Sequence, residues 1–183
     1  MRWVRPSVTE STVWLWAKSL LNAALFFALF MAALPWLAHQ LLPFQVPIPT
    51  AIRVPGGGLL FVGGLLTWLR CLDVFSRRGA GTPFPLDAPR RLVTSGPFAV
   101  VRNPIMAAEL CVIWGEALYT ASLGVLLYAA STSVLAHLVV TRVEEPELRR
   151  LFGEAYEQYC RRTPRWLPRP SHRRRGPPTS SAP

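Results

Sequence analysis

Two short stretches of this 183-residue chain combine residue types that could hold a charged small molecule. The first runs Ser95, Gly96, Pro97, Phe98 and then Arg102, Asn103, Pro104; the second is Glu144, Glu145, Pro146, with His137 two helical turns earlier on the same face. A guanidinium pairs with carboxylates, a carboxylate accepts from hydroxyls and amines, and a glycine-proline turn bares backbone donors. If the helices that carry the two stretches form a tight hairpin, a cation, two carboxylates and a donor-rich loop surround one pocket. Each stretch also has a plainer structural reading. Asn103 suits a helix N-cap and Pro104 the first helical position, while Glu145 and Pro146 suit the start of a surface helix, whose N-terminus favours carboxylates. A lone histidine such as His137 is more often a packed or hydrogen-bonded side chain than a catalyst, although ionisable groups at membrane depth raise the functional reading.

The elements that must position these residues are apolar. The chain is 51% hydrophobic, with a mean hydropathy of +0.27 beside a net charge of +10, so apolar and basic residues are segregated along it. No charge interrupts Ser19 to Ala38 or Ser122 to Thr141, and each run at helical rise spans a hydrocarbon core of roughly 30 Å. Gly56 to Phe75, broken by Arg70 and Asp73, and Ile105 to Ala121, broken by Glu109 and Glu116, supply two further spans. The first run lacks the cleavage pattern of a signal peptide and is expected in the mature chain. The expectation is an all-α membrane bundle of about four transmembrane helices with a C-terminal amphipathic interfacial helix. Of the 20 Lys and Arg only Arg53 lies between the first two spans, which places that loop outside and both termini in the cytoplasm. Basic residues flanking spans are accounted for by anionic lipid head groups, so nucleic acid is not an expected partner.

Smaller features fill in this outline. Trp3, Trp14 and Trp16 suit interfacial anchors, Pro35 is expected to kink or end the first span, and Pro43 to Pro55 reads as an extended external linker. Gly56, Gly57, Gly58, Gly63 and Gly64 favour close helix packing in the second span. Glu109 and Glu116 share one face of the third span and should turn into the bundle, as channel groups or interhelical hydrogen-bond partners. Arg77 to Pro104 reads as a long, ordered or semi-ordered cytoplasmic loop, of a length that is usually functional or disordered. Leu148, Leu151, Phe152, Ala155, Tyr156, Tyr159 and Cys160 make one face of the amphipathic helix, and residues 170–183 form a basic tail expected to be disordered. The rest, 1–169, is one domain. Cys71, Cys111 and Cys160 imply no disulfide framework, and His137 has no second histidine in the bilayer to make a metal site.

The ordered combination of Gly81, Thr82, Pro83, Leu92, Val93, Ser95 to Phe98 and Val101 to Pro104 resembles the cofactor loop of the isoprenylcysteine carboxyl methyltransferase and phospholipid methyltransferase superfamily. Gly115 to Leu118, His137, Glu144 to Pro146, Leu148, Phe152, Gly153, Tyr156, Tyr159 and Pro164, Arg165, Trp166, Pro168, Arg169 are similar to its C-terminal signature. The resemblance spans about 79–169 and implies an integral membrane enzyme that uses S-adenosyl-L-methionine. It assigns the cofactor to Gly96, Pro97, Phe98, Arg102, Asn103, Pro104, Met106, His137, Glu144 and Glu145, with Arg102, Glu144 and Glu145 as the catalytic set. Phe98, Met106 and Trp166 would wall the adenine or the methyl donor. The family's usual tyrosine and glycine are here Met106 and Ala108. The implied acceptor is amphiphilic or lipid-borne, a prenylated cysteine carboxylate or a phospholipid amine; a non-catalytic, cofactor-binding accessory protein is the reading from another class. With Lys18 the single lysine among the 20 basic residues, the composition suggests a GC-rich genome and a bacterial inner membrane.

Overall fold

A computed structural model describes Leu21 and residues 24–78 and 91–168. The expectations for the N-terminal tryptophans, for residues 79–90 of the long loop and for the tail lie outside the described residues. Within them the chain is all-α, with no strand and one isolated antiparallel bridge between Gln45 and Ser122.

Helix α1 spans Ala24–Leu41. Its turns widen to π-helical geometry over Phe27–Ala33 and return to α-helix at Leu34–Leu41, with Pro35 in the first turn. Proline lacks the N–H that would bond four residues back, and the wider turns just before it absorb the loss. The helix therefore runs through Pro35 instead of ending there. The following linker is extended only as far as Pro49. Phe44 accepts from the Leu123 amide at 2.9 Å and the Val46 amide donates to Ala121 at 2.8 Å, which ties the linker to the turn before α5.

Helix α2, Thr50–Arg78, begins inside the stretch expected to be extended, and Pro55 lies within it. Pro55 falls in the second turn, where it forfeits one hydrogen bond near a helix end that is already short of partners. The short α3 is Pro97–Val100, α4 is Pro104–Thr120 and α5 is Leu123–Val139. Among the described residues three helices are long and apolar enough to cross a membrane: Ala24–Leu41, Thr50–Val74 and Leu123–Phe152, with mean hydropathies of 1.6, 1.4 and 1.9. Helix α4, the expected fourth span, has 17 residues and carries Glu109 and Glu116.

The third of these long helices runs on into the stretch where the amphipathic helix was expected. From α5 the chain passes through a π-helical stretch, Val140–Glu144, straight into α6, Glu145–Phe152. Widened turns just ahead of Pro146 again re-seat the carbonyls that its missing N–H leaves free. The break comes at Gly153, whose φ of +50° suits a residue without a Cβ, and α7 follows at Glu154–Arg162.

Glycines set the seam between α2 and α4. A Cβ on Gly57 would stand 2.7 Å from the Tyr119 amide nitrogen, one on Gly64 2.8 Å from the Ala108 carbonyl oxygen, and one on Gly115 2.6 Å from the Phe61 amide nitrogen. Gly57 and Gly64 are seven apart and share a helix face; Gly58 and Gly63, which flank that face on either side, would meet nothing within 4 Å. Met31, Val112, Ile113, Ala117, Val125 and Ala129 form the main core between α1, α4 and α5.

Candidate functional site

At one end of the bundle a single buried carboxylate gathers three separate stretches of chain. Glu145, at the start of α6, is 1% exposed. Arg165, beyond α7, forks onto it, Nε to Oε1 at 2.6 Å and Nη2 to Oε2 at 2.9 Å. Arg102, just ahead of α4, brings Nη2 to Oε1 at 3.2 Å, and Arg149, one turn along α6, reaches Oε2 at 3.6 Å. A planar guanidinium fork on a carboxylate is the strong, directional form of ion pair, and burial removes the water that would screen it.

The backbone around these charges is held as firmly. The Arg102 amide donates to the Pro164 carbonyl at 2.8 Å. Asn103 occupies the N-cap of α4, as its type suggests, yet its side chain makes no cap bond; Nδ2 lies 3.5 Å from the Arg165 carbonyl oxygen. Tyr159 of α7 donates its hydroxyl to the Phe98 carbonyl at 2.6 Å. Burial raises the pKa of that phenol, which keeps it a donor at neutral pH. Gly96 turns the chain into α3 at φ +63°, a conformation that favours glycine, and a Cβ there would also approach Val74 to 3.1 Å.

The ten residues singled out from sequence fall as follows. Gly96, Pro97 and Phe98 form and enter α3, and the Phe98 ring is buried among Cys71, Val74 and Val93. Arg102, Asn103 and Pro104 lead into α4, with Met106, half-buried, in its first turn. His137 is exposed on α5, and its Nδ1 accepts from Trp166 Nε1 at 3.2 Å. Glu144 and Glu145, given one shared role from sequence, differ: Glu145 is saturated by guanidinium groups, whereas Glu144 is half-buried and makes no hydrogen bond or ion pair among the described residues. Arg102 and Glu145 are in contact.

Three contributors were not on that list. Arg165 makes the shortest bond to Glu145, Arg149 flanks it, and Tyr159 locks α7 to α3. The Pro164, Arg165, Trp166 motif carried the signal for the first, and the apolar face of α7 for the last.

A test of cofactor fit comes from Arg102 itself. Its side chain is 10% exposed, and its Nε, fully buried, has no acceptor among the described residues. A buried guanidinium donor without a partner is costly, and an additional carboxylate at this point would satisfy it. S-adenosyl-L-methionine carries such a group, so the residues present fit it.

Comparison with known proteins gives this geometry its setting. Over 78 residues, 43% of the chain, it is 39% identical to the cobalt-zinc-cadmium resistance protein CzcN of Cupriavidus metallidurans, of which the match covers 36%. Over a stretch of the same length it is 37% identical to methanethiol S-methyltransferase 2 of Bradyrhizobium diazoefficiens, covering 29% of that protein. The matched stretch thus spans about a third of each relative's length. Residues 52–155, from the start of α2 into α7 and therefore through Arg102, Glu144 and Glu145, match the phospholipid methyltransferase family, and the chain belongs to that family.

Proposed function

We propose that this protein is a membrane methyltransferase that binds S-adenosyl-L-methionine at the Arg102–Glu145–Arg165 cluster and transfers its methyl group to an amphiphilic or lipid-borne acceptor. The observation that carries the reading is the meeting of Arg102 and Glu145 at 3.2 Å, with a donor of Arg102 left over beside it. Family membership over both stretches supports it.

The chemistry asks little of acids and bases. When bound, S-adenosyl-L-methionine would supply a sulfonium-activated methyl group, which the acceptor's lone pair would take as the sulfur departs as a neutral thioether. The protein's task is to hold donor and acceptor in line and to exclude water. Arg102, through its free Nε, would take the cofactor's carboxylate. Glu145 does not meet the cofactor first; it fixes Arg102 and Arg165 and offsets their charge. Glu144, with no competing cation among the described residues, would accept from the ribose or the amino group. The backbone of Gly96 to Phe98, with Asn103 and Pro104, would hold it on one side, and Met106, His137 and Trp166 would wall its apolar portion.

The acceptor enters from lipid, since the cluster lies at the ends of apolar helices. An isoprenylcysteine-type carboxylate and a phospholipid amine both fit that route, and the thiol named for the Bradyrhizobium relative adds a sulfur nucleophile. In the same proposal residues 1–169 form one domain with the cofactor half at about 79–169, the cluster faces the cytoplasm of a bacterial inner membrane, and both termini lie on that side.

Calorimetry of the detergent-purified chain with S-adenosylhomocysteine tests the cofactor. Binding is expected for the native chain and for Glu147→Gln, and is expected to fall at least tenfold for Arg102→Gln and Glu144→Gln, with helix content unchanged by circular dichroism. A folded native chain that binds nothing, or an Arg102→Gln chain that binds as the native does, removes the assignment. Product formation with a lipid extract then separates an enzyme from a cofactor-binding accessory protein.

A further inference from the structure

Glu109 lies on α4 one turn beyond Met106 and on the same face, roughly 8 Å along the helix from Pro104. It therefore stands on the bilayer side of the Arg102–Glu145 cluster, where an acceptor arriving from lipid would pass. Trp68 of α2 holds it. The indole Nε1 donates to Glu109 Oε1 at 3.1 Å, and Phe27 of α1 packs edge-on against that indole, with ring centroids 4.7 Å apart. Cys71 and Val74, one and two turns further along α2, pack with Phe98 and Ile105, which ties the Trp68–Glu109 contact to the turn at Gly96 to Phe98.

The two oxygens of this carboxylate are unlike. Oε1 has Trp68, whereas Oε2 has no partner among the described residues. It is not sealed off either, because Arg102 Nε is the one fully buried side-chain polar atom without a partner among the described residues. The titratable neighbours of Glu109 are Cys71 of α2 and Glu144 at the junction of α5 and α6, and no cation pairs with it among the described residues. An interhelical hydrogen bond needs only an acceptor, which a glutamine would supply without charge. A carboxylate at membrane depth is costly to keep unless its charge is used. The departing sulfur needs no acid, yet an acceptor that arrives with a proton must shed it, and a carboxylate fixed by one oxygen and open at the other is built to receive it.

We propose that Glu109 is the proton acceptor of the methyl transfer, with Trp68 as the residue that positions it. The inference rests on the methyltransferase reading above and deepens it. As the acceptor's lone pair closes on the methyl carbon and the carbon–sulfur bond breaks, the bond between the acceptor's reacting atom and its hydrogen also breaks, and the proton passes to Glu109 Oε2. A sulfonium and a carboxylate thereby become a thioether and a carboxylic acid, and apolar surroundings favour the loss of both charges together. An uncharged acceptor that brings a proton, such as a thiol, fits this step. A carboxylate acceptor has no proton to give and meets Glu109 and Glu144, both of its own sign.

The test loads the full chain in mild detergent with S-adenosylhomocysteine, titrates in dodecanethiol or dodecanoate by calorimetry, and then follows methyl transfer from S-adenosyl-L-methionine to each. The thiol is expected to bind and to be methylated, and the acid to do neither. Glu109→Gln, which keeps an oxygen for Trp68, is expected to bind S-adenosylhomocysteine as the native chain does and dodecanoate at least about tenfold more tightly. It is expected to methylate the thiol about 100-fold more slowly. Its remaining rate should rise about tenfold per unit of pH as the thiol ionises unaided, a steeper dependence than that of the native chain. Glu116→Gln, two turns further along the same face, is expected to match the native chain throughout. Circular dichroism identifies variants that fail to fold, and Glu109→Met replaces Glu109→Gln if it is one of them. A native chain that binds no S-adenosylhomocysteine removes the methyltransferase reading and this one with it. With that binding intact, no transfer to the thiol, methylation of dodecanoate, or a Glu109→Gln chain with the native rate or the native pH dependence overturns the role of Glu109 alone.

Discussion

Glu145 and Glu116 are the same residue type on helices of the same bundle, and their surroundings could hardly differ more. Glu145 sits where a loop, a helix end and the C-terminal segment meet, and each brings an arginine to it. Glu116 lies one turn from the end of α4, beside glycines and a phenyl ring, with no cation turned toward it among the described residues. The difference teaches that a carboxylate's role in this protein is set by the segments that reach it. Basic residues are concentrated in the stretches that converge on Glu145, and the opposite end has little beyond Arg53 to offer.

The comparison breaks most sharply at Glu145. Glu145→Ala leaves three guanidinium groups around an empty, buried position and is expected to cost about 3–5 kcal/mol, read as a large fall in Tm in detergent. A fall of a degree or two would mean that the ion cluster is wetter than its burial indicates. Next come the glycines of the α2–α4 seam. Gly64→Leu drives a side chain into the Ala108 carbonyl and should cost about 1–3 kcal/mol, whereas Gly63→Leu, facing open space, should stay within about 0.5 kcal/mol. Equal effects on unfolding would show that the two helices do not pack on this face. Tyr159→Phe removes the hydroxyl that ties α7 to the Phe98 carbonyl, for about 0.5–1.5 kcal/mol, and should loosen hydrogen exchange at residues 97–100 before it touches the membrane helices. The smallest effect is expected at Glu116→Gln, within about 0.5 kcal/mol of native stability in thermal unfolding; a marked gain would sharpen the contrast, since it would measure the cost of an unpaired charge at that end of the bundle.

Much of the fold was legible in the sequence. Apolar runs long enough to span a bilayer located α1, α2 and α5, although α2 starts six residues before the run expected for it, and Asn103 with Pro104 marked the start of α4. Proline misled in three places, because its missing N–H is a local signal and its consequence depends on the turns before it. At Pro35 and Pro146 a π-helical stretch takes up the defect and the helix runs on; at Pro55 a place near the helix start makes the loss small.

The candidate site divides in the same way. Arg102 and Glu145 stood out because a cation and a carboxylate beside helix ends have few other reasons to occur in an apolar chain. Arg165 did not stand out, being one arginine in a basic C-terminal stretch, and nothing local announces that it folds back onto a carboxylate twenty residues earlier. Likewise five glycines crowd α2, and composition alone cannot say which of them touch α4.

By itself, then, the sequence determined the helical class, the places of the spans and the residue types at the charged end, since these follow from hydrophobicity and periodicity within single segments. Only the tertiary structure decided that Glu145 is saturated and Glu144 is not, that Gly57 and Gly64 pack while Gly58 does not, and that α5 runs on through Pro146. Those outcomes turn on which face of one helix meets which end of another, and a rotation of one residue, about 100°, exchanges a paired group for a free one.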